Sequence, residues 1–594
     1  MKRSLVIGLV LILNFALFSS NCSTEKSEAV NLSPANWPKG ELEKYFKLNS
    51  TVDRPHPMGF GSKGMVVGTT GAPAVRAGLE ALKQGGSAAD AVLTTALGQI
   101  SLAAGCWVSY AGIMTMVYYE AETGKVYSMH AGYYTLQDEK KPMTIPRSPE
   151  PSGRTALVPG FMAGVQAAHD RFGKLPFDQL FEPAIYFAEE GFVIEPLMGY
   201  RLDNRKDVLS RLPETKKIFT KENGEFYKEG EIFKQPAVAA TLRKVATQGV
   251  DYMYRGEWSQ ELVDAVQREG GKMALKDLED YKVIWNDPVH TKFRDYDAYS
   301  LGLISQGGVN IIEALNLLEI ADIKSMGHYT ENAEALYSLM KVSRVGLFFT
   351  FFPLQLFKSQ IPDGDFSPES RVTKDTGRVV WESIQNGTLA KAVKPIFDMQ
   401  KKTAEQSKHS DAVVAVDQYG NVAAICHSIN TTWWGTTGIF VDGISIPDSA
   451  NYQQQLIAAV GPGVYLPDPT NPLLVLKDGK PYLASSSIGS GLHSVTVQNL
   501  HNVLEFDMDP KTSVDTTNFL SMYWYDMTKQ QILVDSFPDE MLNKVREMGQ
   551  ELKIVTKDEW RLGLGYWVGI KINQDTGKLE GAVSGILNGH AEGY

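Results

Sequence analysis

Strand-like runs that come in adjacent pairs, with Ala- and Gly-rich helical stretches beside them, predict an α+β fold of layered sheet and helix. Two pairs carry the prediction. Residues 106–119 read as a strand, and Glu122-Thr123-Gly124-Lys125 turns it into a second at 126–130. Residues 411–417 and 422–428 read as another pair, joined by the turn-forming Gln418-Tyr419-Gly420-Asn421. The third observation is the small-residue content of the flanking helices, which lets them approach a sheet closely.

Taken in order, the chain opens with Lys2-Arg3, an apolar stretch over 5–18, and Ser19-Ser20-Asn21-Cys22. This is the layout of an export signal, 1–22, too short to span a bilayer comfortably. Cys22 resembles the lipid-acceptor cysteine of bacterial lipoproteins, although the Ser and Asn before it depart from the usual pattern. An ordinary signal cut nearby is the alternative, and export to the periplasm or cell surface is expected either way. Residues 23–57 are polar, carry four prolines and read as a tether.

The folded body begins at 58. A helix is expected over 73–83, with Val75, Gly78, Leu79 and Leu82 on one face and Gly85-Gly86 closing it. Ser87-Ala88-Ala89-Asp90 has the spacing of a capping box and opens a second helix. Further helices are expected after Val158-Pro159-Gly160, after Leu175-Pro176 and after Ser305-Gln306-Gly307-Gly308. Residues 197–281 read as a charged helical lobe, and 358–407 as a mobile, charged segment. No later apolar run is long and uncharged enough to cross a membrane; residues 345–357 come closest, and Pro353 interrupts them.

Composition narrows the function. Apolar residues make up 43% and charged ones 21%, as in an ordinary globular protein. A net charge of −11 without a basic run argues against nucleic acid, and against a membrane partner other than through a lipid anchor. Of three cysteines, lipidation of Cys22 would leave Cys106 and Cys426, which are expected to be buried and unpaired. No Cys or His spacing fits a zinc site, so neither metal nor cofactor is expected.

Several segments together resemble the gamma-glutamyltranspeptidase family of N-terminal-nucleophile hydrolases. They include GMVVGTTGAPAVRAGLEALKQGGSAADAV from Gly64, VPGFMAGVQAAHDRFGKLPFDQLFEPAIYFAEEGF from Val158, AVDQYGNVAAICHSINTTWWGTTGIF from Ala415 and KDGKPYLASSSIGS from Lys477. Their order covers nearly everything after the tether. The resemblance implies a four-layer αββα sandwich made as one precursor. It also implies self-cleavage between His409 and Ser410, giving a large part, 58–409, that stays associated with a small part, 410–594. Ser410 stands where the family has its nucleophilic Thr.

An N-terminal hydroxyl residue carries its own base, because the free α-amine, with a reference pKa of about 7.7–8.0, can take the hydroxyl proton. By the same resemblance Ser428 supports the nucleophile, Gly489 and Ser490 supply backbone N–H groups to an oxyanion, and Asn430 contacts substrate. Each residue also fits a plainer role, Ser410 as an inert strand-leading residue and Ser428 and Asn430 as caps of a hairpin edge. The family's carboxylate-binding Arg has no counterpart here, since Ala131 matches that position. Of its acidic pair only Asp448 remains, and its paired serines fall on Pro467-Asp468-Pro469-Thr470. Losing a bidentate clamp removes an orienting interaction, so glutathione-type donors are expected to be poor substrates. The expected function is a self-processing amidohydrolase or acyltransferase on a gamma-glutamyl or other acyl amide, small or peptidic. The alternative is an inactive relative kept as a cell-envelope binding lipoprotein.

Overall fold

A computed structural model of the 594-residue chain describes residues 29–51, 54–351, 354–362, 364–392, 410–519, 529–557 and 565–594. Cys22, the expected lipidation site, and His409, the expected last residue of the large part, lie outside the described residues, as does the whole export signal.

Two seven-stranded sheets form the centre. In chain order their strands are β1 (Met58–Gly61), β2 (Met65–Gly68), β3 (Ile113–Glu120), β4 (Lys125–Ala131), β5 (Ile284–Asn286), β6 (Val289–Phe293), β7 (Tyr296–Ser300), β8 (Ser410–Val416), β9 (Val422–Ser428), β10 (Leu473–Lys477), β11 (Lys480–Gly489), β12 (Gly565–Ile572), β13 (Leu579–Val583) and β14 (His590–Gly593). The first sheet runs β14-β2-β8-β9-β3-β4-β5 and the second β1-β13-β12-β11-β10-β7-β6. All neighbours are antiparallel.

Period-two alternation makes this a sandwich. In the β8–β9 hairpin, Val413, Ala415, Ala423 and Ile425 pack into the helical layer. Ala412, Val414, Ala424 and Cys426 face the second sheet, against Ala484, Ile488 and Val568. The outer face of the second sheet, with Leu473, Val475, Leu483 and Trp567, is covered by a separate helical cluster. The order is therefore αββα, as expected.

Helices α1 (Glu41–Asn49), α2 (Ala72–Lys83) and α3 (Ala88–Leu102) lie on the first sheet's side. Gly78 shows why small residues are needed: a Cβ there would sit 2.1 Å from Thr95 Oγ1. The capping box at the start of α3 is present, with Asp90 N donating to Ser87 Oγ at 3.1 Å and Ser87 N to Asp90 Oδ2 at 2.8 Å. Helix α4 (Gln306–Ile320) begins at Ser305, as expected, and covers the second sheet with α5 (Ala333–Phe351), α6 (Lys374–Gln385) and α7 (Leu492–Leu500).

Three expectations need correcting. The part of the polar tether described here is packed, not loose. Leu32, Trp37 and Tyr45 are buried, Tyr45 Oη donates to Glu592 at 2.7 Å, and Glu41 pairs with Arg76 at 2.9 Å. Its prolines set turns around a short amphipathic helix. The segment read as mobile contains α6 and a buried Arg371, so its described part belongs to the core. Charge alone misled here, because the opposite charges lie far away in sequence. Finally, β3 starts at Ile113, and residues 106–112 are a loop tied to 434 by Trp434 N donating to Cys106 O at 2.8 Å. Cys106 and Cys426 are buried and free.

Candidate active site

The β8–β9 register places Ser410 directly opposite Ser428. By strand alternation both side chains face the gap between the sheets. Ser410 Oγ donates to Ser428 Oγ at 2.8 Å, and Ser428 Oγ accepts a second bond from Asn430 N at 2.9 Å. Among the described residues, no His, Lys, Asp or Glu side chain is hydrogen-bonded to Ser410. The nearby imidazole on the next strand position, His427, points into the helical layer, where Nε2 meets Gln99 Oε1 at 2.9 Å. Burial pushes its pKa down to about 3, so it is neutral and a poor base.

Asn430 has φ 52°, a left-handed backbone uncommon for a residue with a Cβ. The strain is held in place by braces on its neighbour: Tyr133 Oη donates to Ile429 O at 3.1 Å, and Ser449 Oγ donates to the same oxygen. The Asn430 side-chain amide makes no hydrogen bond among the described residues and is half-buried. It is thus set beside Ser410 with its donors and acceptor uncommitted.

Across the gap, β11 packs against β8 and β9. Cys426 Sγ contacts Ser487 O at 3.8 Å, which brings the end of β11 to the Ser428 end of the hairpin. Gly489 closes that strand with φ 86°, and Ser490 turns the chain into α7. His493, one turn on, is buried with neither ring nitrogen partnered among the described residues; burial first, and the Arg371 charge second, push its pKa down to about 3.

The other expected site residues are placed differently. Ala131 ends β4 on the helical side, where a Cβ on Gly164 would lie 2.6 Å from its own. It offers no polar group, and helix packing fills its surroundings. Asp448 is fully buried. Its oxygens accept from Thr431 Oγ1 at 2.6 Å, Thr436 N at 2.7 Å, Asn451 Nδ2 at 2.7 Å and Thr436 Oγ1. Both oxygens are therefore taken up in shaping the loop over 431–451. In the stretch matching the paired serines, Asp468 accepts from Tyr465 Oη at 2.6 Å and from Thr470 N at 3.0 Å.

Sequence reading missed Asp411. It follows the candidate nucleophile but points to the helical side, fully buried, where it accepts from Thr70 Oγ1 at 2.8 Å, Trp107 Nε1 at 2.9 Å and Thr69 Oγ1 at 3.1 Å. An acid at the head of a strand of small apolar residues was the available signal. Burial pushes its carboxyl up to about 7, against the pull of these donors and of Arg201. An unfolded Asp titrates near 3.9. With the folded pKa raised, stability contributed by this group is complete below about pH 4 and lost as pH rises through about 7. In Asp411→Asn the fall in melting temperature from pH 4 to 8 should be shallower than in the parent, even though the amide disturbs the Trp107 bond. An unaltered slope would count against this assignment.

A cavity of about 650 Å³ lies elsewhere, lined by Tyr134, Ile284, Leu303, Val309, Phe349 and Arg371 among others. Ser410, Ser428, Asn430 and Gly489 do not line it. Its Ile284 is on β5, four strands from β8, or about 19 Å at 4.7–4.9 Å per strand.

Comparison with known proteins identifies the relatives of this arrangement. A sequence model described as gamma-glutamyltranspeptidase matches residues 74–591. The chain belongs to the gamma-glutamyltranspeptidase family. A glutathione hydrolase proenzyme of Escherichia coli K12 is 24% identical over 552 residues, 87% of this chain and 89% of that one. The capsule biosynthesis protein CapD proenzyme of Bacillus anthracis is 30% identical over 275 residues, 46% of this chain and 47% of that one. Among solved structures, a cephalosporin acylase from Bacillus halodurans superposes with a TM-score of 0.74 at 19% identity, over 92% of this chain and 98% of that one. That likeness is one of fold. This gamma-glutamyltranspeptidase family member is accordingly an amidohydrolase or acyltransferase on an αββα sandwich.

Proposed function

We propose that this chain matures by cutting itself before Ser410 and then uses Ser410 as an N-terminal nucleophile on an acyl amide. One observation carries the reading: a hydroxyl held by Ser428 with no base in contact among the described residues. A Ser hydroxyl needs a base within reach, and cleavage would create one in the same residue. In maturation, Oγ attacks the His409 carbonyl carbon, the C–N bond breaks with a proton passing to nitrogen, and water hydrolyses the ester. In turnover the free amine takes the Oγ proton as Oγ attacks the amide carbonyl. The backbone N–H groups around Gly489 and Ser490 face the oxyanion. The amine then protonates the departing nitrogen, and water or an acceptor amine resolves the acyl-enzyme.

The substrate side supports a donor other than glutathione. Ala131 offers no cation and the Asp448 oxygens are already engaged, so the usual hold on a free α-amino acid end is lacking. Asn430, strained and uncommitted, is the residue best placed to receive the substrate amide. The Lys2-Arg3 start, the apolar 5–18 stretch and Cys22 support an exported and lipid-anchored protein.

Intact-mass analysis of purified protein tests the reading. Two fragments divided between His409 and Ser410 are the expected result, and kcat/KM should rise with pH through an amine pKa near or below about 8. A lasting single chain without amidase activity would favour the inactive envelope lipoprotein instead.

A further inference from the structure

Arg201, whose charge reaches Asp411 beside the candidate nucleophile, is a cation that the proposed chemistry leaves unused. It sits in the helix Pro196–Asn204 and is only 2% exposed. Its guanidinium carbon lies 4.2 Å from the Trp107 ring centre and 5.3 Å from that of Trp433, so it is held between two indoles. Its Nε is buried without a partner, and neither terminal nitrogen makes a hydrogen bond or ion pair among the described residues. A guanidinium whose Nε is buried without an acceptor, and whose terminal nitrogens are unbonded among the described residues, is an unfilled site, because such groups are normally paired.

The surroundings explain why no group among the described residues fills it. Glu195 and Asp411 are the acids whose charge reaches Arg201. Glu195 already accepts from Leu197 N at 2.6 Å and Met198 N at 2.8 Å as the helix cap. Asp411 is engaged by Thr69, Thr70 and Trp107. Arg205, one turn on, is committed to the carbonyls of Trp433 and Gly435, and so fixes the loop that holds Trp433 over Arg201. Both walls connect to the end of the hairpin that carries Ser410 and Asn430. Trp107 bonds the residue next to Ser410, and Trp433 is three residues beyond Asn430. Tyr200 extends the aromatic wall outward, edge-on to Trp433 at 6.1 Å.

We propose that Arg201 is the anchor for a carboxylate on the acyl amide substrate, approached between the Trp107 and Trp433 rings. The proposal rests on the Ser410 reading. It assigns the role to a residue other than the one at the Ala131 position, which is three strands from β8. A planar guanidinium presents a bidentate fork to a carboxylate, and the two indoles keep water away from it. The substrate class is an amide whose acyl group ends in a carboxylate, with an apolar stem to lie on the rings.

The test compares glutaryl-p-nitroanilide with its neutral terminal-amide analogue, on wild-type protein and Arg201→Met. Wild type should favour the carboxylate by about tenfold or more in kcat/KM. Arg201→Met should still be cut before Ser410, and its preference should collapse toward one through a raised KM for the carboxylate substrate. Arg201→Lys should recover part of the preference. A preference unchanged in Arg201→Met overturns the proposal, and so does a wild type that favours the neutral analogue. If wild type neither cuts itself nor hydrolyses either compound, the Ser410 reading fails separately. Calorimetry with glutarate then decides: binding by wild type and none by Arg201→Met upholds the anchor, and any other pattern overturns it.

Discussion

Ser410→Ala protein is expected to purify as one uncut chain and to hydrolyse amides at no more than about a thousandth of the wild-type rate. Two losses coincide in this substitution. Without Oγ there is no atom to attack the His409 carbonyl, so the α-amine is never released. Without Oγ there is equally nothing to form the acyl-enzyme. The fold should be retained, because Ser410 leads its strand and contributes one side-chain bond, to Ser428, while the backbone pairing of β8 with β9 is unaffected. Ser410→Thr is the informative partner. It restores the hydroxyl and adds a methyl that narrows χ1, so cleavage and activity should both persist. Intact mass and a single amidase assay read both variants. Cutting in Ser410→Ala would place the nucleophile elsewhere and remove the basis of the mechanism.

How much of this was legible in the sequence depends on the range of the interaction. Local chemistry was readable: Ser87 and Asp90 are three residues apart and form the expected cap, and the β8–β9 hairpin is announced by its own turn residues. The family segments then carried the fold class and pointed to Ser410. Long-range chemistry was not readable. Trp107 and Asp411 are 304 residues apart and meet only because the 106–112 loop crosses the end of the first sheet. Arg201 lay in a charged helical stretch, where nothing local separates a solvated arginine from one pressed between two tryptophans. Asp448 was legible as an acid, but not as an acid whose oxygens are spent on Thr431, Thr436 and Asn451. The hydroxyls of the site can therefore be read from sequence more readily than its charges, whose state is set by burial and by distant partners.

The same limit hid the Arg371–Glu313 pair, which supports the second largest prediction. Arg371 Nη2 lies 2.5 Å from Glu313 Oε2, its Nε donates to Oε1 at 3.1 Å, and its Nη2 also meets Asn310 Oδ1 at 2.6 Å. Both residues are almost wholly buried, and the pair ties α4 to the segment just before α6. Removing one partner of such a pair strands a charge in low dielectric, at a cost of about 3–5 kcal/mol. Arg371→Met should lower the free energy of unfolding by that much. The double variant Arg371→Met with Glu313→Leu should recover most of it, since an apolar pair of similar volume leaves no charge behind. The pH dependence gives an independent check. Burial already raises the Glu313 carboxyl above its usual range, and Arg371 is what restrains the shift. Without Arg371 the folded state would hold the Glu313 proton still more tightly than the unfolded chain. A raised folded pKa contributes stability at low pH that is lost as pH rises. The Arg371→Met deficit should thus be smaller at pH 5 than at pH 8, measured by denaturant unfolding at each. A deficit that is equal at both, or a double variant no better than the single, would mean the pair contributes through packing of Phe349 against Arg371 and not through charge.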